Sequence, residues 1–372
     1  MKKNIWEIEI LRGFAIFTVV IFHVTFFLTS ISILSPLIIV LMFLNVLFGF
    51  GVPLFIFLSG FVLSFRYHHS KNYSLLHFYK KRFLILLPPY FIAAIVYMIY
   101  FKNYEILSIF YPQSVSPHFW YIPLIMFFYI LYPLFSKIVH KFTKRASLVI
   151  TIFFIVQFIS IIIEVLFKLP SILEHSGYFI LGMYVYEYYE KFKEKVRINY
   201  KILIKVALLI LISIIIHTYV FYIVYINRIN FNNNRLFYIF YTVSFAYVAT
   251  IVYTLLILLL LFLALNIKER SSFKRSIFSN LGKYSYGIFL YHYVILLVFY
   301  DIFIMLGFNR EYYLFYIILF LASIASSTLL IYLISLLPFH QYAIGKIRKY
   351  QKRNKLMIFE NYILYSSENY YN

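Results

Sequence analysis

The sequence predicts an all-α, polytopic integral membrane protein with about ten transmembrane helices. Three observations carry that prediction. The 372 residues are 63% hydrophobic and only 13% charged, with a mean hydropathy of +0.86, whereas about a quarter of a soluble domain is charged. Apolar windows of about twenty residues, the length that crosses a bilayer as a helix, recur along the whole chain. The Lys and Arg residues, which outnumber Asp and Glu 34 to 13, concentrate in alternate connections.

The expected spans are 10–30, 40–64, 83–101, 119–136, 147–167, 173–189, 203–224, 236–264, 284–306 and 313–337. The first starts behind lysines, as a signal peptide does. No small-residue cleavage site follows it, so it is read as a retained span. The second carries Ser59-Gly60 near its inner end. The third is entered through Lys80-Lys81-Arg82 and carries Pro88-Pro89. The fourth opens on Trp120 and Tyr121, residue types that collect at membrane interfaces. The sixth is trimmed by Gly177 and Glu187, and both a full crossing and a re-entrant segment fit it. The last four are long apolar runs, of which 284–306 contains His292.

With the N-terminus assigned to the cytoplasm, 29 of the 34 basic residues fall in inner segments. Only Lys102, Lys168, Arg228, Arg235 and Arg310 fall outside. That asymmetry is the positive-inside pattern, and it predicts a multi-pass protein of the cell membrane with both termini cytoplasmic. The net charge of +21 is thereby assigned to the surface of the lipid bilayer, and no nucleic-acid partner is expected. Residues 1–340 are read as the transmembrane domain and 341–372 as a basic, Tyr/Asn-rich cytoplasmic tail. The absence of cysteine excludes disulfides and thiolate metal sites. Walker sequences, zinc-type His spacing and a Gly-x-Ser-x-Gly elbow are also missing, so no metal, ATP-driven pump or covalent serine enzyme is expected.

Chemistry is sought where ionisable side chains enter apolar spans, because such residues are costly in lipid. Arg12 and His23 are eleven residues apart, so on a helix they fall within about 20° of each other and about 16 Å apart along the axis. Arg12 is placed at the cytoplasmic mouth and His23 near mid-bilayer. A neutral imidazole between helices can act as a general base, and a guanidinium can hold a phosphate or carboxylate through a bidentate fork. Glu9, one turn before Arg12, can fix the guanidinium. A snorkelling anchor and an interhelical hydrogen bond are the plain alternatives for the pair. Lys80, Lys81 and Arg82 form a cationic cluster suited either to phosphates or to membrane anchoring. Ser59 suits close helix packing or a substrate contact, and Trp120 and Tyr121 suit an aromatic belt or sugar stacking. Ser285 and His292, two turns apart, share a face; His292 is a candidate for contact with the acceptor or for a proton relay, with a structural hydrogen bond as the plain alternative.

Several stretches, in order, resemble the membrane-bound acyltransferase-3 family. They are Glu9-x-Leu11-Arg12-Gly13 with His23 (the Arg-x10-His signature), Val52 to Phe61 ending in Ser59-Gly60, and Lys80 to Tyr90. His118-Phe119-Trp120-Tyr121-Ile122-Pro123 with Leu131 to Leu134, Phe179 to Gly182, and Leu281 to His292 follow. Members often carry a second arginine where Ile85 stands here. The resemblance implies an O-acyltransferase that moves an acyl group, often acetyl, from cytoplasmic acyl-CoA to a hydroxyl of an envelope or exported glycan or a lipid-linked sugar. His23, Arg12 and Glu9 are then the catalytic candidates. Lys80, Lys81, Arg82, Ser59, Trp120, Tyr121, Ser285 and His292 are the substrate-binding candidates. Acyl-CoA is a donor substrate in this scheme, with no bound cofactor. A transporter or flippase for a polysaccharide or lipid-linked intermediate would use the same cavity as a pathway, and membership of a glycan-synthesis complex is a third reading.

Overall fold

The computed structural model describes residues 6–27, 36–67, 74–167, 173–191, 200–226, 235–266 and 272–346. The inner connections after the sixth and eighth expected spans, which carry eleven of the basic residues counted as inner, lie partly outside these, as does the tail beyond 346. The principal helices are α1 (Trp6–Thr25), α2 (Leu37–Phe48), α3 (Gly51–Tyr67), α4 (Leu75–Phe101), α5 (Tyr121–Lys141), α6 (Ala146–Phe167), α7 (Ser176–Glu187), α8 (Tyr200–Ile226), α9 (Arg235–Asn266), α10 (Ser272–Met305) and α11 (Tyr313–Leu336). Among the described residues there is no strand. This is an all-α, multi-pass membrane protein.

Two close crossings organise the bundle, and glycine is required at both. Gly13 of α1 faces the Phe278 carbonyl of α10, and Gly282 of α10 faces the Glu9 carbonyl of α1; a Cβ on either would overlap the opposing oxygen. Gly60 of α3 and Phe179 of α7 repeat the arrangement, with Gly182 against the Phe57 carbonyl. Without a hydrophobic drive between helices in lipid, such small-residue approaches are what bring backbones into van der Waals contact. Four glycines of the sequence motifs therefore hold helices together, and Ser59-Gly60 is first a packing element.

The structure differs from the expected spans at several ends, α1 stopping at Thr25 and α10 starting at Ser272, and two further differences bear on the bundle. The second expected span, 40–64, is met by one crossing stretch, Leu37–Tyr67, which is interrupted inside: α2 stops at Phe48 and α3 restarts at Gly51. The break is held from outside. Tyr253 of α9 donates its hydroxyl to the Val46 carbonyl at 3.2 Å, and Asn45 Nδ2 donates to Thr25 Oγ1 at 2.9 Å. The sixth expected span is only a 12-residue helix, α7, about 18 Å long and short of the roughly 20 residues that a lipid-exposed crossing needs. Nine other helical stretches among the described residues are long and apolar enough to cross.

Helix α7 nevertheless reaches both ends of α5. At its start the His175 ring packs on Trp120, and near its end Tyr184 donates to the Phe142 carbonyl at 3.4 Å. Residues Ser176 to Val185 are all buried, so protein rather than lipid covers the short helix and its backbone ends are satisfied internally. One such end is explicit: Gln157 of α6, 2% exposed, accepts from Gly177 N–H at 3.2 Å and donates to Thr250 Oγ1 at 3.1 Å. That satisfies one of the orphan donors at a helix start.

The helical turn Gln341–Ile344, which the sequence reading assigns to the tail, packs on α4. Tyr291 of α10 donates to the Ala343 carbonyl at 3.1 Å.

Candidate functional site

Helix α1 carries both halves of the site. Its packing against α10 on one side and α3 on the other leaves Arg12 and His23 partly open on the same stripe, as their spacing requires. His23 lies in the last turn of α1, because that helix ends at Thr25 and not near residue 30. It stands level with the middle third of α10, beside His292.

Three imidazoles meet at this end. The His23 and His292 ring centroids are 4.9 Å apart, and His118 lies 5.9 Å from His23 and 5.2 Å from His292. His292 is fully buried and His118 is 3% exposed. His292 Nε2 is 3.4 Å from His23 Nδ1, and His23 Nδ1 is 2.8 Å from the Val19 carbonyl. His118 Nδ1 is 2.9 Å from Ser116 Oγ. Tyr293 packs on His23 and His118. Tyr97, whose hydroxyl accepts from Val294 N–H at 2.9 Å, packs on His118. No group of His, Cys, Asp or Glu among the described residues has metal-site geometry.

The other end is cationic and aromatic. Arg12 has Arg66, Tyr129, Tyr121 and Glu9 as its charged and phenolic neighbours. Glu9 is buried and accepts from Ser279 Oγ of α10 at 3.4 Å. Arg82 is 6% exposed and sits among rings, its guanidinium carbon 5.2 Å from the Tyr67 centroid and 5.6 Å from those of Phe78 and Tyr129. Its Nε and one Nη have no hydrogen-bond partner. Cation–π contacts offset part of the desolvation of such a group, but a buried cation with bare N–H donors is a place for an anion. Tyr129 lies against Arg82 and is also a neighbour of Arg12, so the two guanidiniums, seventy residues apart in sequence, share one ring.

The structure sorts the remaining expected site residues. Ser59, whose hydroxyl donates to the Phe55 carbonyl at 2.9 Å, stands beside the Tyr121 hydroxyl, with Arg12 near both. Ser285 is buried on α10 one stripe with His292. Lys80 and Lys81 are exposed and point away from the cage that holds Arg82, so the basic triplet is divided between surface and site. Trp120 packs on His175, on the side of α7, and not in the histidine cluster.

His118, Arg66 and Tyr129 are additions that sequence reasoning did not single out as site residues. His118 stood in a quoted motif, and its place after Pro117 and before an apolar helix marked it as a polar group about to be buried. Arg66 and Tyr129 had no such signal.

The acyltransferase-3 family model, described as an acyltransferase domain, matches residues 5–336. That range takes in both ends of the site and all eleven helices. No curated protein and no solved structure matches the chain. With the motif residues gathered on α1, α3, α4, α7 and α10, and the match running nearly end to end, the chain belongs to the acyltransferase-3 family of membrane acyltransferases.

Proposed function

We propose that the protein transfers an acyl group, acetyl in the simplest case, from cytoplasmic acyl-CoA to a hydroxyl of an envelope or exported glycan or a lipid-linked sugar. The observation that supports this most directly is the division of one helix stripe into a cationic, aromatic end at Arg12 and an imidazole end at His23. Acyl-CoA has the same polarity: phosphates at one end, a thioester at the other, and an extended arm between. Arg12 and Arg82 take the phosphates by charge-assisted hydrogen bonds, with Lys80 and Lys81 attracting the donor at the surface. Glu9 holds Arg12. Ser59 and Tyr121, beside Arg12, and Ser285, on the stripe of His292, are the contacts assigned to donor arm and acceptor; Trp120, turned to His175, is left to packing.

At the imidazole end, the acceptor oxygen attacks the thioester carbonyl while its proton passes to His23. The carbon–oxygen bond forms, the carbon–sulfur bond breaks, and His23 returns the proton to the departing thiolate. The enzyme ends as it began, so no bound cofactor is needed. The positive-inside charge pattern supports a donor end facing the cytoplasm, and a glycan-synthesis complex would supply the acceptor.

The test uses purified protein in proteoliposomes with radiolabelled acetyl-CoA, a panel of methyl hexosides and a lipid-linked sugar. Label on an acceptor hydroxyl is the expected result. Movement of the sugar across the bilayer with no label on it would replace this reading with that of a transporter.

A further inference from the structure

The two imidazoles at the centre of the histidine cluster are each pinned by helix carbonyls, and this decides where their hydrogens sit. His292 Nδ1 lies 2.8 Å from the Phe289 carbonyl and 3.1 Å from that of Ile288. A carbonyl oxygen only accepts, so a ring nitrogen at that distance carries the hydrogen. The neutral ring then has its lone pair on Nε2, which needs a donor. The atom facing it at 3.4 Å is His23 Nδ1. His23 Nδ1 is in turn 2.8 Å from the Val19 carbonyl, so it too carries a hydrogen. Two independent constraints, one on α1 and one on α10, therefore agree.

We infer that His292 is a positioning residue for the acyl-transfer base, accepting from His23 Nδ1–H so that His23 is held in the tautomer whose free nitrogen is Nε2. The hydrogen is shared, with the Val19 carbonyl at the short arm of a three-centre bond and His292 Nε2 at the long arm. Val19 alone would select the tautomer yet leave the ring free to tip about its own helix; His292 adds a second point on another helix. The remaining neighbours are walls: His118 bonds to Ser116 and Tyr293 meets the ring edge-on. A base oriented by a third group is a general device of proton-transfer sites. Here the orienting group is neutral. When Nε2 takes the acceptor's proton, the cation formed already has an acceptor in line at Nδ1, and no water has to reorganise. His292 is thereby moved from the substrate-binding group of the sequence reading to the support of the base.

This inference rests on His23 being the base, and its test separates the two. The tautomer is read by nitrogen-15 NMR of histidine-labelled protein in proteoliposomes, with His23 assigned by difference from His23→Gln. The expected spectrum shows His23 protonated at Nδ1 and bare at Nε2. Kinetics with acetyl-CoA and methyl hexosides then compare His292→Leu, which removes the acceptor, with His292→Gln, which restores one. His292→Leu is expected to lower kcat roughly 10- to 100-fold, the usual scale for a lost orienting partner, with the KM for acetyl-CoA unchanged. His292→Gln is expected to recover part of that loss. A hydrogen on His23 Nε2 in the unmodified protein overturns the inference, as does full kcat in both His292 variants. Full transfer by His23→Gln would instead remove the base itself, whatever tautomer the spectrum shows.

Discussion

His23 and Arg82 make opposite use of burial. His23 stays partly open beside a buried partner, so a hydroxyl can reach its ring, and His23→Ala is expected to lower acyl transfer by roughly 10²- to 10⁴-fold, the range for general-base loss. Normal insertion of the variant, checked by its expression and helicity, makes that result a statement about chemistry. Arg82 is enclosed by three rings, and its bare N–H donors have a ligand's share of hydrogen bonds to make. Arg82→Leu is therefore expected to raise the KM for acetyl-CoA by roughly tenfold or more, from the loss of about 1.5–3 kcal/mol of charged hydrogen bonding, with a smaller effect on kcat. Equal transfer kinetics for the variant would remove Arg82 from the donor site. Arg12 and His23 were legible in the sequence because helical periodicity alone puts them on one stripe. Arg66 and Tyr129 were not, and the burial of His118 was legible but not its neighbours: each joins the site from a different helix or turn, and nothing local in the chain records which remote residues it will meet.

At the scale of the element, helices were legible and their interruptions were not. Hydropathy averaged over twenty residues runs smoothly across Phe48-Gly49-Phe50-Gly51, yet Tyr253 and Thr25 stabilise a break there through contacts of long sequence separation. The same averaging lengthened α7, whose limits are set by Gln157 at one end and by tyrosines reaching the α5–α6 connection at the other. Gly282→Leu is expected to prevent the α1–α10 crossing, because the added side chain would meet the Glu9 carbonyl. Loss of the monodisperse peak of detergent-purified protein checks it. Gln157→Leu is a milder test: it orphans the buried Gly177 N–H, a cost of about 1–3 kcal/mol, and is read as a lowered thermal midpoint in detergent.

For the whole molecule, the absence of cysteine makes single-cysteine labelling a direct test of the proposed orientation. Lys80→Cys and Lys141→Cys are expected to react with a membrane-impermeant maleimide only from the cytoplasmic side, and Lys102→Cys and Asn309→Cys only from the opposite one. Lys141 and Lys346 on the same side would require α7 to count as a crossing, since only five of the other described spans lie between them and an odd number would leave them on opposite sides. The ring-enclosed guanidinium of Arg82 has a further consequence in terms of ionic strength. Exposed Lys80 and Lys81 act through solvent, where a Debye length of about 10 Å at 0.1 M salt quenches their pull. Arg82 acts from a buried position, where salt screens a charge much less. Added salt should therefore slow the arrival of an anionic donor while leaving its departure nearly unchanged.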